Sequence, residues 1–194
     1  LQSIGSPAVV RPLLTLLHEG KIPAESDESV LGLIGSQGGP QELALVFDLV
    51  VADDQTPASR RAYLLSSLTK ATRQRKIKPA GDLNRLSRLL VPESTDESLR
   101  EIAARTAGLW QIESLRPQLI EFAQAAETST ALRQASLDGL GQLGGAASRE
   151  VLEQLSAADQ PLAHRMMAVG ALASVDLNAA AARAVEVLAD NTKD

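Results

Sequence analysis

The sequence predicts an all-α protein built from repeated helix pairs, and three observations support that prediction. First, a leucine followed three residues later by another aliphatic residue recurs at steps of 30 and 32 residues, the period range of two-helix solenoids. These pairs are Leu1 and Ile4, Leu31 and Ile34, Leu140 and Leu143, and Leu172 and Val175. Second, the chain has only two Phe, one Trp and one Tyr, so Ala and Leu, which favour helices, must form its core. Third, β-branched runs typical of strands are scarce.

Three segments are predicted to be the first helices of consecutive repeats. Each fits one template of apolar or small residues at relative positions 0, 3, 4, 7, 8 and 11, which is a single buried stripe on a helix. The stripes are Leu99, Ile102, Ala103, Thr106, Ala107 and Trp110; Leu132, Ala135, Ser136, Gly139, Leu140 and Leu143; and His164, Met167, Ala168, Ala171, Leu172 and Val175. An arginine follows the first residue of each stripe, at Arg100, Arg133 and Arg165.

Second helices are predicted where aliphatic residues recur at three-residue and four-residue steps. These segments are 7–19, 40–52, 82–91, 115–126, 149–157 and 179–189. Ser94 and Glu97 have the spacing of a capping box at a helix start, and Thr56 precedes Pro57 at an expected first helical position. Gly35 and the pair Gly144–Gly145 mark helix ends.

Together these elements predict a single array of about six units. The units are 1–22, which is truncated, 23–55, 56–92, which is long, 93–127, 128–158 and 159–194. Residues 1–5 match the end of a first helix, so the array begins part-way through a helix. We therefore expect the chain to be a piece of a longer protein.

The pattern in residues 132–144 resembles HEAT-like repeats: a leading aliphatic–Arg pair, an Ala-rich middle and a Leu-Gly-x-Leu-Gly ending. The resemblance spans the chain and implies antiparallel helix pairs stacked into a right-handed α-solenoid, with the second helices lining its concave side. Two features depart from the family pattern, since Trp110 replaces the usual Leu and the third unit is too long. Residues 57–119 are also similar to segments of large multidomain bacterial proteins, in which HEAT-like repeats join a dehydrogenase-like domain to a cytochrome-c-type module.

Residue counts argue against catalysis within this chain. It has no Cys, which excludes disulfides, thiolate nucleophiles and a Cys-x-x-Cys-His haem attachment site. Its two histidines, His18 and His164, lie in the first and last repeats, too far apart in an array to share a metal ion. HEAT-like DNA glycosylases suggest Trp110 and Glu113 as a candidate pair, but Trp110 occupies a stripe position and is predicted to be core. We predict no catalytic residue, no metal and no cofactor.

Basic residues are concentrated between positions 60 and 88. This window holds nine Lys or Arg residues and one acidic residue, whereas the whole chain has a net charge of −5. A field of this kind can steer an anionic partner. The candidate anion-binding patch is Lys70, Arg73, Arg75, Lys76 and Lys78. The other interpretation is a solvated helix end paired with acidic neighbours. Tyr63, the one aromatic residue of the window, is predicted on the buried side of its helix.

Two function classes remain open. The leading hypothesis is a non-catalytic scaffold or spacer that binds a protein partner or holds flanking domains of the same chain apart. The alternative is an anion-binding module, with nucleic acid as the most testable ligand. No apolar run approaches the roughly 20 residues that a membrane-spanning helix needs. The sequence predicts no particular compartment.

Overall fold

The structure is a computed structural model that describes residues 7–19, 21–52, 56–91 and 96–191. Within these ranges the regular elements are all helices, which confirms the all-α prediction. The α-helices are α1 Pro7–His18, α2 Ala24–Gln37, α3 Pro40–Val51, α4 Ala58–Arg75, α5 Glu97–Leu109, α6 Arg116–Gln124, α7 Thr130–Leu143, α8 Gly145–Leu155, α9 Leu162–Leu172 and α10 Leu177–Asn191. Two 3₁₀ helices span Leu83–Leu90 and Glu113–Leu115. The chain forms two compact units, Leu1–Ile102 and Ala103–Asp194.

The first unit packs four α-helices and the longer 3₁₀ helix around an aliphatic core. Helix α2 contacts α1, α3 and α4, and α3 also contacts α1, α4 and the 3₁₀ helix. Val46, Phe47 and Val50 of α3 are buried, as are Leu65 and Leu68 of α4. The core of this unit is therefore made where successive helices face one another.

The second unit packs each helix from α6 to α10 against the next one, and α7 also contacts α9. The predicted stripes lie on the sides of the helices that pack against neighbouring helices. All six stripe residues of α7 are buried, and in α9 the stripe residues Ala168, Ala171 and Leu172 are buried. Trp110 is 1% exposed, which confirms that it is a core residue. Burial of these apolar side chains is the main force that holds the helices together.

Most predicted helix ends lie within two residues of the observed ones, but α8 begins at Gly145 and not at 149, and one segment differs in helix type. Residues 83–90, expected within a second helix, form a 3₁₀ helix instead. Its buried Leu86 and Leu89 are three residues apart, the number of residues in one 3₁₀ turn. At α5, Asp96 accepts hydrogen bonds from the Ser98 and Leu99 amides. Ser94 and the predicted helix end at 1–5 lie outside the described residues.

Helices α5 and α7 approach each other backbone to backbone through two glycines. A Cβ atom placed on Gly139 would lie 2.6 Å from the Ala104 carbonyl oxygen, and one placed on Gly108 would overlap the Gly139 carbonyl group. At both glycines the new Cβ would lie closer to the backbone of the facing helix than ordinary van der Waals contact allows. Only glycine fits at this crossing, although glycine is otherwise unfavourable inside a helix.

Buried arginines of the first helices bind backbone carbonyls at the ends of preceding second helices. Arg133 of α7 is 3% exposed and donates hydrogen bonds to the carbonyl oxygens of Ala123, Ala125 and Thr128, which follow or end α6. Arg61 of α4 donates to the Val50 carbonyl of α3 at 2.8 Å. The last carbonyls of a helix lack partners within the helix, so these guanidinium groups supply them. Arg133, which belongs to the recurring arginines, and Arg61, which does not, therefore both stabilise helix ends.

Candidate interaction surfaces

The five residues of the predicted anion-binding patch lie at the end of α4 and in the segment that follows it. Lys70, Arg73 and Arg75 belong to the last turns of α4. Lys76 ends the helix in a left-handed conformation with φ of 58°, and Lys78 lies two residues further on. The structure thus places all five residues in one short stretch of the first unit, but their side chains have different environments.

Arg75 binds backbone groups of α2. Its Nη1 atom donates to the carbonyl oxygens of Gly35 at 2.8 Å and Gly38 at 2.6 Å. These oxygens lie at the end of α2, where carbonyls lack helical partners. Because the guanidinium is already engaged there, Arg75 stabilises the contact between α2 and α4. Sequence reasoning missed this role because the partner carbonyls are 40 and 37 residues away.

Lys70, Arg73 and Lys76 form an exposed group that, unlike the equally exposed Arg75, is not engaged in the contact between α2 and α4. Their side chains make no ion pair or hydrogen bond with any residue that the structure describes. They recur every three residues, so they lie within about 9 Å along the helix direction. Lys78 differs, since it is half-buried and already has a polar or electrostatic partner. Three cations of the original five therefore remain available to an anion.

The 3₁₀ helix that follows the patch carries a basic residue that is neutralised within the unit. The Nη1 atom of Arg85 lies 2.5 Å from Oδ1 of Asp48 on α3, and its guanidinium stacks 6.0 Å from the centre of the Phe47 ring. This pairing is the arrangement that the structural interpretation of the basic window expects. Residues 60–88 therefore contain two kinds of basic residue: arginines that are paired within the unit, and the exposed group Lys70, Arg73 and Lys76.

A groove of about 330 Å³ lies between α2 and α4, next to this exposed group. Its walls include Gly32 and Ser36 of α2, and Tyr63, Lys70 and Gln74 of α4. Tyr63 is 37% exposed, so the prediction that it faces the buried side of α4 is wrong. Three small residues of α2, Gly32, Gly35 and Ser36, line the groove together with Tyr63. The groove therefore presents one ammonium group among neutral polar side chains.

A different surface is exposed on α9 and α10, and it is aliphatic. We call it the outer face and define it by Leu162, Met166, Leu177, Val185 and Leu188. Leu177, Val185, Leu188 and Met166 are 71%, 68%, 64% and 61% exposed. Their spacing puts Leu162 and Met166 on one side of α9, and Leu177, Val185 and Leu188 on one side of α10. Large apolar side chains exposed along one side of a helix, as on α10, commonly mark an interaction site.

The residues considered as catalytic candidates lie in surroundings typical of residues that stabilise a fold. Glu113 pairs with Arg116 at 2.7 Å, while Trp110 is enclosed in the core. His164 is half-buried; burial lowers its pKa below the ordinary value, and the nearby positive charge of Arg133 lowers it further. The side chain of His18 lies outside the described residues.

Two searches of the described part of the chain give negative results. No group of three or more His, Asp or Glu residues in those ranges is arranged to hold a metal ion. No helix there is long and apolar enough to cross a membrane.

Comparison with known proteins adds no family assignment. No protein-family model matches the sequence, and no curated protein matches it. The HEAT-like resemblance therefore stays a prediction that depends on the repeat pattern itself.

Proposed function

We propose that this chain is a protein-interaction scaffold in which HEAT-like helix pairs stack as a right-handed α-solenoid. Two features of the packing support this arrangement. In the first unit the first helices α2 and α4 contact each other, and in the second unit α7 and α9 do the same. Contacts between every other helix are what stacked pairs require, since each pair then buries its aliphatic side against the next.

The outer face of α9–α10 is the single observation that carries the interaction role. A scaffold binds through surface that is apolar enough to lose water on contact yet remains exposed in the free protein. Leu177, Val185 and Leu188 meet both conditions on one helix. Fully burying one leucine or valine side chain is worth about 1.5–3 kcal/mol, so these three residues can form the apolar centre of an interface, to which surrounding contacts must add because association itself is costly.

The test compares the chain with its Val185→Asp/Leu188→Asp variant as immobilised bait in extract of the organism that makes it. Bound proteins are cross-linked, and the linked peptides are identified by mass spectrometry. A matched control, Ala147→Asp/Gln154→Asp, adds the same two charges at exposed positions of α8. The proposal expects a defined partner that is cross-linked beside α10 and lost only in the first variant. A partner set that is the same for all three proteins contradicts a docking role for the outer face.

Anion binding is the second candidate function, and the exposed group Lys70, Arg73 and Lys76 favours it. Phosphate contacts need cations but no aromatic side chains. Neutralising three phosphates of a single strand would make the logarithm of the affinity fall with the logarithm of salt with a slope of about −2. Arg75 is a weaker candidate contact, because its Nη1 atom already binds two carbonyls of α2.

Binding of a labelled mixed-sequence oligonucleotide across a salt series tests this second function. The variant replaces Lys70, Arg73 and Lys76 with Ala. The matched control replaces three dispersed basic residues, Lys21, Arg149 and Arg183, so that the net charge changes equally. Salt-sensitive binding lost only in the first variant supports the anion-binding function. Equal loss in both variants indicates a general charge effect, and no binding at low salt contradicts the candidate.

A further inference from the structure

The groove between α2 and α4 is open space at a helix crossing, whereas two crossings in the second unit are closed. There, a Cβ atom placed on Gly139 would lie 2.6 Å from the Ala104 carbonyl oxygen, and one placed on Gly141 would lie 2.9 Å from the Ala171 carbonyl oxygen. On α2, a Cβ atom placed on Gly32 would meet no atom within 4 Å. Gly32 therefore widens the groove of about 330 Å³ that it lines, instead of bringing two backbones together.

One side of α4 lines this groove with an aromatic ring at one end and a cation further along. Tyr63, Ser66, Lys70 and Gln74 follow one another at steps of three or four residues, which places them on the same side of the helix. Tyr63 is 37% exposed, and Lys70 lies seven residues further, about 10 Å along the helix axis. No acidic residue is among the described residues that line the groove. The groove thus combines an aromatic surface with an uncompensated positive charge.

Three polar side chains on this side of α4 are not used by the fold. Ser66, Lys70 and Gln74 make no side-chain hydrogen bond or ion pair with any residue in the described ranges. Ser67 differs, since its hydroxyl donates to the Tyr63 carbonyl oxygen at 3.0 Å. A hydroxyl, an ammonium and an amide group, spaced four residues apart, can therefore donate hydrogen bonds to a ligand without breaking a contact within the protein.

The line of cations continues past the groove. Arg73 and Lys76 follow Lys70 at three-residue steps, and both are exposed without a partner among the residues that the structure describes. A free nucleotide carries its phosphates at one end and needs only the charge of Lys70. A nucleic-acid strand carries a phosphate at every residue, so it can use all three cations. The extent of the exposed group favours a strand as the ligand.

We propose that the α2–α4 groove holds one unpaired base of a single-stranded nucleic acid, stacked on Tyr63, while neighbouring phosphates bind Lys70, Arg73 and Lys76. This inference rests on the anion-binding function proposed above and specifies both the ligand and the binding mode. Proteins that bind single strands combine a basic path for the backbone with aromatic side chains on which bases stack. Every base has a π face, so we expect little sequence preference. A duplex keeps its bases inside and cannot fill the groove.

Tyr63 is the only tyrosine of the chain, which makes it a specific reporter of this site. Protein labelled with 3-fluorotyrosine should give one fluorine NMR resonance, and that resonance is followed at low salt. The ligands are a mixed-sequence single-stranded DNA oligonucleotide, an abasic strand of the same length, the corresponding duplex, and AMP. We expect the single strand to shift the resonance and the abasic strand and duplex to leave it unchanged, because neither offers an unpaired base. AMP should bind more weakly than the strand, since it lacks the phosphates that reach Arg73 and Lys76.

Two substitutions test the groove without changing its charge. Tyr63→Leu keeps an apolar side chain but removes the π face, and Gly32→Leu fills the open space. Each should weaken single-strand binding by about 5-fold to 150-fold, the range for loss of one stacked base. The matched controls are Tyr63→Phe, which retains the ring, and Gly170→Leu, which adds the same side chain at an open position of α9. Both controls should bind the strand as the parent does, and circular dichroism checks that all four variants are folded.

The outcomes separate this inference from the anion-binding function. If the strand and the abasic strand bind equally well, or if Tyr63→Leu binds as tightly as Tyr63→Phe, the protein contacts phosphates alone; the inference is overturned and anion binding stands. If AMP binds as tightly as the strand, the occupant is a free nucleotide and the inference is also overturned. If none of the four ligands binds at low salt, the anion-binding function fails together with the inference.

Discussion

Replacement of Gly139 by Ala is expected to destabilise the protein, although the same change at Gly170 is expected to stabilise it. Both glycines are inside helices, where Ala is normally favoured over Gly by up to about 1 kcal/mol. At Gly170 a new Cβ would meet no atom within 4 Å, so the helical preference should appear undiminished. At Gly139 the new Cβ would lie 2.6 Å from the Ala104 carbonyl oxygen and 3.0 Å from Cδ1 of Leu119.

The magnitude at Gly139 follows from how far the backbone must move. Ordinary contact begins near 3.4 Å, so α5 and α7 must separate by about 0.8 Å at their closest point. Overpacking of this kind costs typically about 1–3 kcal/mol. The helical preference for Ala applies to both variants and cancels in their difference, so Gly139→Ala should be about 1–3 kcal/mol less stable than Gly170→Ala in the free energy of unfolding.

Urea unfolding followed by circular dichroism at 222 nm measures this difference. The parent, Gly139→Ala and Gly170→Ala proteins are compared at one pH with a common denaturant slope. If Gly139→Ala is as stable as Gly170→Ala, the glycine crossing between α5 and α7 does not exist in solution, and the packing described for the second unit is wrong.

Three further predictions concern the core of the second unit. Arg133→Met should lower the free energy of unfolding by about 2–4 kcal/mol, because buried carbonyls lose charged hydrogen-bond donors; a change below about 0.5 kcal/mol in urea unfolding would contradict the capping role. Leu140→Ala should lower it by about 2–5 kcal/mol, the range for truncating an aliphatic side chain in a packed core, and an unchanged stability would refute the stripe assignment. His164 has a lowered pKa in the folded state, so the unfolded chain binds the proton first as the pH falls through and just below 6.5, and stability declines there. Unfolding measured at pH 7.5 and 5.5 should show a smaller decline for His164→Gln than for the parent, and equal declines would exclude His164 as the cause.

Local patterns in the sequence were enough to predict the helices, because burial on a helix leaves a periodic signature. The stripe from Leu132 to Leu143 is an example, since each of its residues is buried in α7. The 3₁₀ helix was harder, because the steps of three residues from Leu83 to Leu86 and Leu89 also occur in α-helices. Its short length and tighter turn depend on the packing around it.

Hydrogen bonds between distant segments could not be predicted from the same patterns. Arg75 and Arg133 look like surface cations in the sequence, but each is placed beside the carbonyl end of another helix. Which arginine reaches such an end depends on how helices pack, and one sequence does not specify that. The distinction matters for the basic window, because it separates Arg75 from the exposed group Lys70, Arg73 and Lys76.

The outer face could not be identified from the sequence for a related reason. Leu177, Val185 and Leu188 have the spacing of a buried helix stripe, and Leu152 and Leu155 of α8, which have the same three-residue step as Val185 and Leu188, are buried. Periodicity identifies which side of a helix is apolar but does not say whether anything covers it. Only the exposure of these side chains separates an interaction surface from core.

Excision of one repeat tests the central claim, that the chain is a stack of equivalent helix pairs, most directly. Deleting residues 140–171 joins Gly139 to Leu172, which takes the place of Leu140 and restores the register one repeat shorter. The account predicts that this shorter chain keeps its helix content per residue by circular dichroism and still unfolds cooperatively in urea, because each pair contacts only its neighbours. Loss of cooperative unfolding, with partial helix content, would show that the pairs are not equivalent and contradict the repeat architecture.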